Sequence, residues 1–366
     1  NTALMKVYED LTFKSAAEND IKRENANIDG DTAMGTMLKY GSESAKQFYE
    51  MFVLHPEHAQ AHREGDIHIH DLDFYTLTTT CCQIDLLQLF AGGFSTGHGV
   101  LREPKHISSY AALACIAIQS NQNDQHGGQS IVNFDYGLAP GVAKTYRQNY
   151  TRHLARSLEL LGLDKAAVAD VSRKTLPRIH LAPCLDDGNG YLKAEATAYL
   201  EAGVDEEAFL RAQAFARDKA LEDTDRETYK AMVALIHNLN TMHSRAGAQT
   251  PFSSINYGMD VSAEGRMVMK NVLLATEAGL GHGETPIFPI QIFRVKEGVN
   301  YNEGDPNYDL FKLAMRCSAK RLFPNFSFVD APFNLQYYKP GHPETEIAYM
   351  GCRTRVIGNV YDPTRE

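Results

Sequence analysis

Six cysteines occur in the 366-residue chain, at positions 81, 82, 115, 184, 317 and 352, and none forms a CxxC pair. That spacing excludes a dense disulfide framework and suits a reducing cytoplasm, where thiols remain available for chemistry. No apolar run approaches the roughly 18 residues of a membrane span. The start, NTALMKVYEDLTFKS, is amphipathic and charged rather than signal-like, and it opens on Asn1 instead of methionine. An excess of positive charge is also missing. The net charge is −10, so no general affinity for nucleic acid or a membrane surface is implied. Internal repeats, low-complexity tracts and clear linkers are absent, which argues for one unit over residues 1–366.

What is present is the composition of a globular protein with a sizeable core: 43% hydrophobic and 22% charged residues. The most informative stretch runs from Gly65 to Gly99. His68, His70, Asp71 and Asp73 alternate with Ile67, Ile69 and Leu72, the two-residue period of an extended chain. Thr78, Thr79 and Thr80 then lead into Cys81 and Cys82, and β-branched residues before the thiols favour a strand. Adjacent strand residues point to opposite faces, so at most one cysteine of the doublet can look into a given pocket. IDLLQLF reads as the start of a helix and GGFSTGHG as a glycine-rich loop. A His-x-His-Asp cluster could hold a metal or act as ordinary core or substrate-binding groups.

Along the chain, residues 1–60 read as largely helical, with a loop at 24–35. A helix opened by Pro104 is expected over 104–124, with Cys115 buried in it, followed by a polar loop at 121–130. Residues 205–245 fit one or two exposed helices followed by a buried one. Strands are expected within 246–258 and 281–295 and at NFSFVD, with helices at 262–280 and 305–322, the latter carrying Pro306 in its first turn and Cys317 on a face. Cys352 falls at a loop tip or strand start within 348–359. Strand, loop and helix recur in that order, which predicts an α/β unit with mainly parallel strands.

Several separated motifs, in this order, resemble the anaerobic (class III) ribonucleotide reductases of the glycyl radical enzyme group. They are ENANIDG (24–30), HIHDLDFY (68–75), TTCCQIDL (79–86), GFSTGHG (93–99), QSNQNDQHGGQS (119–130), SRAGAQTPFSS (244–254), GETPIFP (283–289), DPNYDL (305–310) and MGCRTRV (350–356). The resemblance implies a ten-stranded α/β barrel with a cysteine-bearing finger loop at its centre. It implies reduction of ribonucleoside triphosphates to deoxyribonucleotides, with formate as reductant. Cys352 matches the cysteine whose thiyl radical takes the 3′ hydrogen, and Cys81 the cysteine that supplies hydrogen to the ribose. His68 and Thr80 match substrate-binding positions. Lys105, Gln119, Gln122 and His126 fall in the region that binds nucleoside triphosphate effectors such as ATP, dATP, dGTP and dTTP, at the interface of a homodimer. Two distant cysteines facing one water-excluded pocket also suit the chemistry, since losing a ribose hydroxyl needs a one-electron route.

The family's radical-bearing glycine, which a separate S-adenosylmethionine and iron–sulfur activase generates, finds no match within residues 1–366. Neither does its four-cysteine zinc site or its amino-terminal ATP-cone. The chain is therefore expected to be an excerpt of a reductase core, with no cofactor or metal held by the residues present. Three other readings stay open. One is another glycyl radical enzyme of the formate-lyase kind, whose cysteine doublet would sit on the central loop. Another is a nucleotide-binding regulatory or dimerisation module. The third is a metal-dependent hydrolase built on His-x-His-Asp, which leaves Cys81 and Cys352 unexplained.

Overall fold

Five short strands, each followed by helix, form the centre of the computed structural model, which describes residues 2–15, 17–23, 29–75, 80–97, 99–163, 165–244, 249–352, 354 and 355. The strands are β1 (Thr80–Ile84), β2 (His126–Ile131), β3 (Ser253–Tyr257), β4 (Ile290–Val295) and β5 (Asn325–Phe328). They lie side by side in chain order, and every neighbouring pair is parallel. Parallel neighbours need a crossover, and the main ones are helical. These helices are α1 (Ile107–Asp124), α2 (Phe134–Leu160), α3 (Glu206–Thr241), α4 (Ala263–Ala278) and α5 (Tyr308–Arg321).

The α/β class and the parallel sheet are as the residue pattern predicts, but the ten-stranded closed barrel is not found. Among the described residues the sheet has five strands and is open, with β1 and β5 as its edges. A two-residue hairpin, Phe94–Ser95 with Val100–Leu101, stands apart from it in the glycine-rich stretch.

The two faces of the sheet differ chemically. Odd-numbered residues of β2 to β4 face the helices. Tyr257 meets Phe134, Phe293 stacks on Phe311, and Gln291 donates to Thr276 Oγ1 at 2.7 Å. Even-numbered residues face the other way and include Ser130, Asn256 and Arg294, all buried. A buried polar face must find partners, and the segment leading to Cys352 provides them.

Several local expectations are corrected. Residues 66–71 are not a strand: Asp71 adopts a left-handed backbone (φ 49°) and Leu72–Phe74 form a short 3-10 helix. This stretch rests on a small separate core of Tyr49, Leu54, Ala59 and Leu72. The polar run 121–130 is no loop but the end of α1 and the strand β2. Residues 206–241 form one continuous helix rather than two or three. Pro104 and Pro306 precede their helices, whose first positions follow His106 and Asn307. The expected loop at 24–35 is described only from Asp29, and Thr78, Thr79 and residues 356–359 lie outside the described residues.

Candidate active site

Cys81 occupies a bulge between β1 and β2. Thr80 pairs with His126 and Cys82 with Gln129, so one residue of β1 faces both Gly127 and Gly128 of β2. A bulge breaks strict alternation and re-aims a side chain. Cys81 has φ 63° and Gly127 φ 90°, both left-handed. Gly127 is glycine for two reasons. Its backbone is one that L-residues rarely adopt, and a Cβ there would stand 2.7 Å from Cys81 N and 2.9 Å from its Sγ. Gly128 then donates its N–H to Cys81 Sγ at 3.3 Å. Gln125 Nε2 donates to the Cys81 carbonyl at 2.8 Å, tying the bulge to the end of α1.

Cys82 is placed differently. It is half-buried against the helix-side core, and burial pushes its thiol above the usual range. Cys115 and Cys317 are fully buried in α1 and α5, their thiols raised by burial to about 12 and about 11. Cys352 is exposed. It lies in a tight turn closed by a bridge between Tyr349 and Arg355, with its Sγ 3.2 Å from Thr354 Oγ1.

The approach to that turn is held to the sheet at every step. Asn256 Nδ2 donates to the Tyr349 carbonyl at 3.0 Å, and Tyr349 N–H donates back to Asn256 Oδ1 at 2.8 Å. Ser130 Oγ also donates to the Tyr349 carbonyl, at 2.9 Å. Arg294 Nε donates to the Ile347 carbonyl at 3.1 Å, and its Nη1 pairs with Glu346 at 2.6 Å. Both members of that ion pair are buried, and Tyr136 donates its hydroxyl to Glu346 as well. Burial pushes the Glu346 carboxyl up to about 7, against the pull of Arg294. Removing one partner of such a pair leaves an uncompensated buried charge, at a cost of about 3–5 kcal/mol.

The two thiol-bearing elements share a neighbour. A Cβ added at Gly128 would come 3.2 Å from Phe252 Cδ1, and one added at Gly351 3.0 Å from Phe252 Cε1. The Phe252 ring thus fills the space between the Cys81 bulge and the residue before Cys352. Both elements meet on the polar face of the sheet, at the ends where β2 and β3 begin.

The other expected site residues are spread out. Thr80 is exposed at the start of β1, beside the bulge. His68 is exposed, with Nε2 3.3 Å from His70 Nδ1. Among the described residues no group of three or more His, Cys, Asp or Glu side chains is placed to hold a metal ion. Lys105 is exposed just before α1, its carbonyl accepting from Gln148. Gln122 is buried near the far end of α1, bonded to Ser244 Oγ and donating to the Thr250 carbonyl at 3.4 Å. A helix of 18 residues is about 27 Å long, so Lys105 and Gln122 cannot line one base subsite. Gln119 lines a surface pocket of about 430 Å³ with Thr96, Ser120, Asn123, His243 and Ser244. His126 lies elsewhere again, opposite Thr80 at the start of β2.

Asn256, Ser130, Arg294 and Glu346 were not singled out by sequence. The lone arginine in the apolar strand IQIFRV was the one available signal, because a charge in a buried strand needs a partner.

The family model for anaerobic ribonucleoside-triphosphate reductase matches residues 24–365. The chain belongs to the anaerobic ribonucleoside-triphosphate reductase family. Curated reductases of that name are similar to it. The Salmonella typhimurium protein is 29% identical over 334 residues, covering 90% of this chain and 38% of that protein. The Enterobacteria phage T4 protein is 28% identical over 345 residues, covering 92% and 46%. This reductase-family chain therefore spans less than half the length of these curated relatives. Its fold is also that of solved structures. One anaerobic ribonucleotide reductase superposes with a TM-score of 0.51 at 13% identity, covering 92% of this chain and 47% of that one. The Thermotoga maritima enzyme with glycerol in its active site gives 0.50 at 13% identity, covering 93% and 48%.

Proposed function

We propose that this chain is the thiol-bearing core of an enzyme that reduces ribonucleoside triphosphates to 2′-deoxyribonucleotides by radical chemistry under anaerobic conditions. Family membership supports the reaction class. The observation that supports the residue roles is that Gly128, whose N–H bonds Cys81 Sγ, and Gly351, the residue before Cys352, both pack against Phe252. Cys352, exposed at the tip of a clamped turn, would take the 3′ hydrogen atom of the ribose. Cys81, aimed by its bulge, would supply a hydrogen to the 2′ carbon. Thr80 and His68 would meet the nucleotide. Formate would serve as the reductant.

A glycyl radical carried by residues beyond Glu366 would supply the unpaired electron to Cys352 when a radical S-adenosylmethionine activase has formed it; the exposed thiol of Cys352 suits such an exchange. Zinc would likewise be held beyond these residues. Nucleoside triphosphate effectors and a second copy of the chain complete the proposal, with the pocket at Gln119 and Asn123 offering amide donors and acceptors to a base edge.

The test uses the full-length protein, activated without oxygen and supplied with formate and each ribonucleoside triphosphate. Deoxynucleotide should form with wild type, and Cys352→Ser should abolish it while nucleotide binding stays within about threefold. Full activity in that variant would remove Cys352 from the radical role. A wild type that makes no deoxynucleotide would overturn the proposed reaction.

A further inference from the structure

Asp71, Phe74 and His126 come together beside the Cys81 bulge. Asp71 Oδ2 lies 2.6 Å from His126 Nε2. The Phe74 ring stacks on the imidazole, with centroids 4.0 Å apart and planes 15° from parallel. Only 11% of the His126 side chain is exposed. The pairing with His126 holds the Asp71 carboxyl below the usual carboxylate range, against the opposing effect of burial. The other titratable groups acting on Asp71 are His70, at 3.3 Å, and Lys46. Asp71 reaches His126 from a left-handed backbone that non-glycine residues rarely adopt.

Both ring nitrogens of His126 are buried: Nε2 faces the Asp71 carboxylate as an ion-pair contact rather than an aligned hydrogen bond, and Nδ1 has no partner at all. An orphaned buried nitrogen is costly in a purely structural histidine. Strand register sets His126 opposite Thr80, and the next residue, Gly127, is the one whose Cβ would press on Cys81 Sγ. An imidazole set against a carboxylate at one nitrogen, with the other nitrogen unsatisfied, on a residue paired with Thr80 beside the Cys81 bulge, has the form of a general acid–base group. The carboxylate fixes the orientation of the ring.

We propose that Asp71 and His126 form the proton-transfer pair of the site, with His126 protonating the 2′-hydroxyl as it leaves the ribose beside Cys81. This rests on the reductase reading above. In the step, the sulfur radical of Cys352 has taken the 3′ hydrogen atom, breaking a C–H bond and forming an S–H bond. The 2′ C–O bond then breaks with its electron pair going to oxygen, and imidazolium Nδ1 gives the proton that completes water. The proton of the 3′-hydroxyl passes back to the neutral imidazole. A 3′-ketone with an unpaired electron at the 2′ carbon remains. No oxidant or reductant is consumed in this step.

The pair predicts a split between two readouts in the full-length, anaerobically activated enzyme. With ribonucleoside triphosphate tritiated at the 3′ carbon, release of tritium to water reports the Cys352 step, because a thiol hydrogen exchanges with solvent. Deoxynucleotide formation reports loss of the hydroxyl. His126→Gln should lower deoxynucleotide formation about 100-fold or more while tritium release stays within about threefold. Asp71→Asn, which keeps shape and hydrogen bonding, should show the same split at smaller size. Melting curves of both variants check folding. Equal loss of both readouts in Asp71→Asn would show that the pair only shapes the Cys81 bulge, and undiminished deoxynucleotide formation in His126→Gln would remove it from the reaction. A wild type lacking both readouts would overturn the reductase reading itself, and the pair with it.

Discussion

Asn256 grips the peptide group of Tyr349 from both sides, donating to its carbonyl at 3.0 Å and accepting from its N–H at 2.8 Å. Tyr349 stands three residues before Cys352, so this single amide sets the register of the turn on the sheet. Asn256→Ala removes both bonds and leaves the Tyr349 N–H without its partner, which should cost about 1–3 kcal/mol in urea unfolding. In the full-length enzyme, the turnover number should fall at least about tenfold with little change in nucleotide binding, because misplaced reacting atoms slow chemistry more than binding. Unchanged turnover would show that the turn holds its place without Asn256.

Gly127→Ala puts a methyl group 2.7 Å from Cys81 N in a backbone with φ 90°. Steric overlap and left-handed strain add, and the expected loss is on the order of 2–4 kcal/mol, with deoxynucleotide formation abolished. Gly128→Ala comes no nearer than 3.2 Å, to the Phe252 ring, with the Phe252 carbonyl at 3.5 Å, and should be milder in both measurements. Equal effects at the two positions would contradict the bulge as the element that aims Cys81.

Asp260 gives a pH signature. Burial, then the nearby Asp135 carboxylate, pushes its pKa up to about 6. The unfolded value is about 3.9, so the fold favours the protonated form. The contribution of Asp260 to stability is therefore greatest below about pH 4, falls as pH rises toward 6, and is flat above. Asp260→Asn keeps an oxygen to accept from Ser262 N–H and removes the charge. Unfolding at pH 8 should show a gain on the order of 1–2 kcal/mol, absent at pH 4. An equal effect at both pH values would mean that ionisation is not the cause.

Cys82 and Cys81 should separate cleanly on substitution. Cys82→Ala removes a half-buried sulfur from the helix-side core and should cost about 1 kcal/mol with activity largely kept. Cys81→Ala should leave stability nearly unchanged and stop deoxynucleotide formation. The reverse pattern would exchange their roles.

Strands β3 to β5 were legible because each is a short apolar or β-branched run close to a glycine or proline, as in SSINYG and IFPIQIFRV. The errors have physical sources. HIHDLD alternates like a strand, yet Asp71 turns the chain left-handed to reach His126, a partner 55 positions on that no local period reveals. QNDQHGGQS read as a loop because it is polar, yet Gln122, Gln129 and Ser130 are buried. The long helix α3 looked divisible because its charged stretch and its apolar stretch differ in character, although helical spacing never breaks. Of the site, the cysteines were readable from motif and chemistry. The clamp was not, since Arg294 bonds a carbonyl 53 positions away and Ser130 one 219 positions away.

Those separations bear on the order of events during synthesis. The sheet residues that seat Cys352, from Ser130 on β2 to Arg294 on β4, leave the ribosome before the cysteine does. The seat is a product of assembled strands, so a nascent chain carries its most exposed thiol without a cradle until the sheet closes ranks. Cells growing without oxygen tolerate that interval; in air, the same interval is the window in which an unseated Cys352 is open to oxidation.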